Sequence, residues 1–289
     1  MDLRQKPEWL NKKMDFRSLA EVTKMLRSLN LNTVCEGAKC PNISECFARN
    51  TATFMILGDV CTRNCLFCAI PQHKPRPVDL EEPKHVADAS KHLNLKHVVV
   101  TSVTRDDLPD GGANQFAQTI LEIKKQLPDT TIEVLIPDMK NKHENLDIVI
   151  AAKPTIINHN METVPSIFTQ VRPMGNYQRS LDVLEYVKNT APDIITKSGI
   201  MVGLGETKDE VLQVMDDLRK INCDVMTLGQ YLPPSSSHAL LKEYVTPETF
   251  KFYKEKGIEK GFVYVASSPY VRSSYNAAED MEAIKSINN

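Results

Sequence analysis

From residue 52 onward the chain alternates β-like and helix-like segments, and this alternation limits its fold more than any other feature. TATFMILG (51–58) is β-branched and apolar, the pattern of a buried strand. EEPKHVADASKHLN reads as a helix, KHVVVTSV as a strand, and ANQFAQTILEIKKQL as a helix with Phe116, Ile120, Ile123 and Leu127 on one stripe. TIEVLIP is a strand, NLDIVIAA a short helix by its place between strands, and KPTIINHN a strand. RSLDVLEYVKNT, DIITKSGIMVGL, TKDEVLQVMDDLRKI, CDVMTLGQYL, TPETFKFYKEKGIEKG and FVYVASS continue the alternation, and Thr207 with Glu210 forms a capping box. Repeated βα units predict a parallel sheet with right-handed crossovers, in a complete or incomplete barrel or in an open doubly wound sheet. No G-x-G-x-x-G follows the first strand, which weakens a dinucleotide-binding reading. Polar residues gather where strands end: Cys61, Thr101 and Ser102, Pro137 and Asp138, His159 and Asn160, Gly203 to Glu206, and Gln230. In a (β/α) barrel that rim carries the active site. The expected fold is therefore α/β, a partial (β/α)6-type TIM-like barrel with N- and C-terminal extensions capping its mouth.

Ahead of the alternation, SLAEVTKMLRSLNL (18–31) places Leu19, Val22, Met25, Leu26 and Leu29 on one helical face. The expected division is an extension over 1–50, the barrel over 51–268 and a C-terminal segment over 269–289. A net charge of −2 gives no general reason to expect nucleic acid or an anionic membrane as partner. No apolar run approaches the ~20 residues of a membrane helix. The first residues show neither a signal-peptide core nor an organelle transit pattern, so a soluble, cytoplasmic protein is expected.

Of seven cysteines, six lie between positions 35 and 68. In a reducing compartment such clustering points to metal or redox chemistry rather than disulfides. GDVCTRNCLFC carries Cys61, Cys65 and Cys68 as C-x3-C-x2-C directly after the first strand. TVCEGAKCPNISEC, loop-like by composition, carries Cys35, Cys40 and Cys46 as C-x4-C-x5-C. Thiolates at such spacing converge on zinc or on iron–sulfur. A closed zinc site needs a fourth ligand, for which His73 and the more distant His85 are the candidates near the second triplet; no histidine lies near the first. Three thiolates on a cubane of four irons instead leave one iron open to a small molecule.

That spacing, with Phe67 before the last cysteine and a strand before the loop, resembles the radical S-adenosylmethionine (SAM) superfamily. The upstream triplet narrows the resemblance to the lipoyl synthase family. It extends along most of the chain: KPEWL, GDVCTRNCLFC, TSVTRDDLPDGGA, EVLIPDM, INHNMETVP, VRP, KSGIMVGLGET, TLGQYLPPSSSH and PYVRSSYNA. The resemblance implies insertion of two sulfur atoms, at C6 and C8, into an octanoyl chain held on a carrier-protein lysine. It implies two 4Fe–4S clusters and SAM, with sulfur drawn from an auxiliary cluster that is consumed. The resemblance implies that SAM cleavage gives methionine and a 5′-deoxyadenosyl radical, and such a hydrogen abstractor is required because no side chain can deprotonate an alkane carbon.

Carried over residue by residue, the resemblance places the SAM-binding cluster on Cys61, Cys65 and Cys68, the catalytic cysteines. It places the auxiliary cluster on Cys35, Cys40, Cys46 and a serine of Arg272-Ser273-Ser274-Tyr275. Read as extended chain, that segment sends only one serine toward iron, and alignment selects Ser274. An alkoxide is a hard ligand for soft iron, which suits a cluster meant to be dismantled, and Arg272 offsets negative charge there. A GGE-like SAM loop is lacking; its place holds TSVTRDD. Thr101, Ser102, Asn160, Glu162 and Arg172 are the SAM-contact candidates, weighed against strand-end residues that satisfy one another. RDDLPDGGA either faces the carrier, orders the site or forms a solvated rim.

The implied partners are octanoylated lipoyl carrier domains (E2 subunits of 2-oxoacid dehydrogenases and the glycine cleavage H protein), a flavodoxin or ferredoxin electron donor, and an iron–sulfur carrier protein. Neither nucleic acid nor membrane is expected. VGLGE (202–206) lacks the G-K-[ST] ending of a phosphate loop. Met201, Met226 and Cys223 are read as core, and Trp9 as an anchor of the extension. A methylthiolating or biotin-type sulfur enzyme and a non-catalytic iron–sulfur or zinc module are the competing readings; the upstream triplet, the RSSY ending and the size of the scaffold oppose them.

Overall fold

Strand and helix follow one another in the structure, a computed structural model, much as the hydrophobic periods require. It describes residues 5–11, 23–29, 31–37, 40, 42–48, 53–275 and 277–288. The chain divides into two units, one formed by residues 13–63 and 69–157, the other by 1–12, 64–68 and 158–289.

The first unit holds β1 (Asn32–Thr33), α1 (Val34–Gly37), α2 (Ile43–Ala48), β2 (Thr53–Ile56), α3 (Glu82–His92), β3 (His97–Ser102), α4 (Ala113–Gln126), β4 (Thr131–Leu135), α5 (His143–Ala151) and most of β5 (Ile156–Asn158). β1 runs antiparallel to β2; β2, β3 and β4 are parallel, with Phe54 opposite Val100 and Val100 opposite Val134. All four residues of β2 are buried, as its unbroken apolar run demands of a strand covered on both faces. Three residues of the expected stripe are buried on α4, Phe116, Ile120 and Ile123 having no exposure, whereas the fourth, Leu127, lies past the helix end and is half-buried. Residues 23–28 are helical, which agrees with part of the expected 18–31 helix; residues 18–22 and 30 lie outside the described residues.

The second unit holds a single 3-10 turn at Glu8–Leu10, then α6 (Pro165–Val171), α7 (Tyr177–Thr190), β6 (Ile195–Val202), α8 (Lys208–Lys220), β7 (Val225–Gln230), α9 (Pro247–Glu259), β8 (Tyr264–Ser267) and α10 (Ala277–Asn288). β6, β7 and β8 are parallel. The capping box forms as expected: the Thr207 side chain accepts from the Glu210 N–H, and the Glu210 carboxylate accepts from the Thr207 N–H. The unit's core includes Met161, Leu184, Val214, Leu218, Cys223, Met226, Leu228 and Phe250, all at most 1 % exposed. Cys223 and Met226 are thus core, and Met201 packs against a smaller cluster of Val171, Leu204 and Tyr231.

Three expectations need correction. The cysteine segment 34–48 is not loop-like: it forms the short helices α1 and α2. α6 and α10 were not foreseen. Residues 273–275 are a turn closed by the Tyr275 N–H on the Arg272 carbonyl (3.0 Å), so the alternation of an extended chain does not choose between the serines.

Candidate functional site

β2 ends in a sharp change of direction. Leu57 adopts φ 71° and Gly58 φ 100°, a left-handed conformation that is costly for leucine. Two buried side chains hold it. The Leu57 N–H donates to the Glu82 carboxylate (2.9 Å), and Arg105 donates to the Leu57 carbonyl (3.2 Å). Burial drives the Glu82 carboxyl above its ordinary range, against the pull of the Leu57 amide.

Cys61 follows in the same unit. Its Sγ accepts the N–H groups of Arg63 and Thr104, each at 3.3 Å. Thr62 Oγ1 donates to the Thr104 carbonyl (3.0 Å) and accepts the Asp106 N–H (3.1 Å). Arg105 and Asp106 were weighed as a solvated rim; their side chains are 3 % and 19 % exposed and engage β2 and the cysteine loop instead. Farther along that segment, Asp110 accepts the Gly112 and Asn114 amides and so opens α4.

Residues 64–68 belong to the other unit. The Cys68 N–H donates to the Cys65 carbonyl (3.1 Å), which closes a tight turn between the two thiols. Leu66 donates to the Val171 carbonyl (2.8 Å) and accepts from the Ala239 N–H (2.7 Å). The His238 ring lies 3.1 Å from the Cys68 carbonyl. Phe67 packs on Val171, Leu204 and Tyr231. The aromatic before the last cysteine therefore fastens this half of the loop to a small apolar cluster.

In the first unit, Cys35 sits in α1, Cys46 in α2 and Cys40 between them. The Cys40 N–H donates to the Cys35 carbonyl (3.1 Å), and the Cys46 N–H to the Asn42 carbonyl (2.9 Å). Burial pushes the Cys35 thiol up to about 12, and the Cys40 and Cys46 thiols push the same way. The three thiols are thus close enough to feel one another. Without metal Cys35 stays a thiol; a metal centre would have to release its proton.

Among the described residues, no trio of His, Cys, Asp or Glu side chains is gathered around one point as a single ion requires. A cubane takes its thiolates at separate corners, so its ligands stand farther apart than those of one ion. Thiols on short turns, with two backbone N–H groups already aimed at the Cys61 sulfur, are of the donor type that an iron–sulfur cluster takes.

The SAM-contact candidates separate by geometry. Thr101 Oγ1 donates to the Leu135 carbonyl (2.8 Å) and serves the sheet, whereas the Ser102 hydroxyl is buried with no protein partner. In the second unit, the Asn160 amide donates to Glu162 (3.2 Å) and to Ser273 Oγ (2.8 Å), while its buried Oδ1 has no partner. Arg172 donates to the Asn160 carbonyl (3.2 Å). Glu162, at φ 70°, joins β6 through the Gly199 carbonyl (3.0 Å) and the Met201 N–H (2.8 Å). Burial raises its carboxyl above the ordinary range, opposed by the Arg172 charge and the Asn160 amide. A Cβ on Gly199 would clash with Thr227 Oγ1 and press on Asn160 Oδ1 at 3.1 Å, so glycine here spares Thr227 first and leaves Asn160 its room. The buried oxygens left without partners, Ser102 Oγ in the first unit and Asn160 Oδ1 in the second, each suit a polar group.

The C-terminal segment lies over β7. The Gln230 N–H donates to the Pro269 carbonyl (3.3 Å), Ser268 donates to the Leu228 carbonyl (3.2 Å), and a Cβ on Gly229 would stand 2.0 Å from the Val271 carbonyl. Sequence reasoning singled out the RSSY motif but not its seat. It passed over Arg63 and His238 and named Asp138 only as a strand-end residue; their partners lie far away in the chain.

Comparison with known proteins agrees with this geometry. The model of the radical SAM superfamily matches residues 55–218. A lipoyl synthase of Caldanaerobacter subterraneus subsp. tengcongensis is 58 % identical over 94 % of this chain and 96 % of its own length. That of Alkaliphilus metalliredigens is 53 % identical over 98 % of each chain. Among solved structures, methylornithine synthase (12 % identity, TM-score 0.58) covers 86 % of this chain and 77 % of its own. SuiB of Streptococcus suis bound to S-adenosylmethionine (11 % identity, TM-score 0.59) covers 91 % and 63 %. These two carry the fold, the α/β partial barrel of the radical SAM class. With near full-length identity above one half to curated relatives, this chain belongs to the lipoyl synthase family of the radical SAM superfamily.

Proposed function

We propose that this chain inserts two sulfur atoms, at C6 and C8, into an octanoyl chain bound to a carrier-protein lysine. Family membership brings SAM and iron–sulfur as cofactors and an acylated carrier as substrate. We assign two 4Fe–4S clusters: an open one on Cys61, Cys65 and Cys68, and an auxiliary one on Cys35, Cys40, Cys46 and Ser274. The reading rests chiefly on the segment after β2, whose C-x3-C-x2-C supplies three thiols, Cys61, Cys65 and Cys68.

Bound there, SAM and a reduced cluster supply the hydrogen-abstracting radical that an unactivated C–H bond requires. The chain's part is to hold and orient. Ser102 in the first unit and Asn160 in the second each keep a buried oxygen without a partner, the reason for retaining them as SAM contacts, and Arg172, fixed on the Asn160 backbone, keeps positive charge beside Glu162. Thr101, engaged by β4, keeps β3 in register and adds at most a secondary contact. Ser274 is kept as the auxiliary ligand on the family resemblance alone; its neighbour Ser273 accepts from the Asn160 amide. In this reading residues 1–50 and 269–289 serve the auxiliary cluster, and 51–268 form the SAM-binding barrel.

The further partners follow from the chemistry. The carriers are lipoyl domains of 2-oxoacid dehydrogenase E2 subunits and the glycine cleavage H protein. A flavodoxin or ferredoxin supplies electrons, and an iron–sulfur carrier rebuilds the consumed cluster. We place the work in the cytoplasm; no helix among the described residues is long and apolar enough to cross a membrane. Anaerobic reconstitution followed by incubation with an octanoylated carrier domain tests the reading. About eight irons per chain and a carrier mass gain of two sulfurs are expected. Zinc-only protein, or thiolation of a free octanoyl amide in preference to the carrier, would overturn it.

A further inference from the structure

Between the first two cysteines of the open loop lies Arg63, whose side chain is 4 % exposed. Its guanidinium is forked twice. Nε and one terminal nitrogen donate to Asp106 at 2.7 and 2.9 Å; the terminal nitrogens also donate to Asp138 at 2.9 and 2.7 Å. Asp106 follows β3, and Asp138, fully buried, follows β4. Thr62 is tied to the same β3 loop by its own amide as well as its hydroxyl, since the Thr62 N–H donates to the Thr104 carbonyl (3.1 Å). Each of Cys61, Thr62 and Arg63 thus bonds to residues 104–106, and Arg63 reaches one strand farther.

We propose that Arg63, with Asp106 and Asp138, is a positioning device that fixes Cys61 before any cluster binds. This rests on the assignment of Cys61, Cys65 and Cys68 to the open cluster. The chemistry favours arginine here. Only a planar fork can satisfy two carboxylates in two directions, and a lysine ammonium keeps the charge but not the geometry. The consequence is that the first thiol is placed by the scaffold, with the Arg63 N–H of its own loop and the Thr104 N–H of the β3 loop on its sulfur.

The test begins with the cluster-free protein. Hydrogen exchange should find the amides of Arg63, Thr104 and Asp106 protected without metal. In Arg63→Lys their exchange should quicken at least about tenfold, while amides of β3 at 98–100 keep their wild-type rates. In a Cys35→Ala/Cys40→Ala/Cys46→Ala background, cluster uptake by Arg63→Lys should slow about fivefold or more, and the electron paramagnetic resonance of the reduced cluster should change. Thr62→Val, which removes one hydroxyl and no charge, should shift the same amides in smaller measure. Rapid exchange at 63, 104 and 106 in cluster-free wild type, or unchanged exchange in both variants, would overturn the proposal. Equal loss of protection across β3 in both variants would reduce Arg63 to a general structural role and overturn it too. If the triple-alanine background takes up no iron at all, the cluster assignment fails instead, whatever the exchange shows.

Discussion

Replacing Gly229 by alanine tests whether the C-terminal segment must rest on β7. The new Cβ would stand 2.0 Å from the Val271 carbonyl oxygen and 3.0 Å from its carbon. To reach ordinary contact the carbonyl must retreat by roughly 1.5 Å. Backbone on both sides resists, because β7 is hydrogen-bonded to β6 and β8. The looser partner, the segment from Pro269 to Tyr275, therefore moves. Two long hydrogen bonds, from Gln230 to Pro269 and from Ser268 to Leu228, weaken with it. Net bond losses of about 1 kcal/mol each bound the cost at roughly 2 kcal/mol. That corresponds to a fall of about 5 °C in the melting temperature. The functional cost is larger, since an ångström-scale displacement of a positioned group costs about a hundredfold. Sulfur insertion, read as carrier mass, should fall by about that factor, while 5′-deoxyadenosine formation falls much less, roughly threefold. Undiminished sulfur insertion at an unchanged melting temperature would refute the reasoning.

Glu162→Gln should change stability in a pH-dependent way. Burial raises the Glu162 carboxyl above its usual 4.5, so folding favours its protonated form. Its favourable contribution is complete below pH 4.5 and is lost as pH rises through the folded value. The glutamine variant of the cluster-free protein should therefore melt above wild type at pH 8 and level with it at pH 4; a gap independent of pH would contradict this. Cys223→Ala should lower stability by about 1 kcal/mol, because Cys223 is fully buried in the second unit's core, and leave iron content at the wild-type level. Loss of iron there would make Cys223 a ligand.

The hydrophobic period disclosed nearly every strand and long helix, because each of those choices is local. Ile123 on α4 and Val214 on α8 are buried where a 3.6-residue repeat puts them. Capping chemistry at Thr207 was legible for the same reason. Apart from α10, a twelve-residue helix the period did not disclose, what failed was short or non-local. Seven residues of α6 and the four of α1 span too few turns for a period to show. The Arg63 fork joins residues 43 and 75 positions apart, so nothing in CTRNC hints at it. Leu57 and Glu162 take left-handed conformations that only their tertiary partners make tolerable. The cysteine spacings, by contrast, pointed to the radical SAM superfamily, whose model matches residues 55–218, since residue type and spacing are written directly in the chain.

The central claim is a division of labour between two cysteine triplets, and Cys35→Ala tests it most directly. Wild type and variant are reconstituted anaerobically and given SAM, reductant and an octanoylated carrier domain. The account predicts that the variant still forms 5′-deoxyadenosine while its carrier gains no sulfur. A variant that no longer cleaves SAM, or one whose carrier still gains two sulfurs, would contradict it.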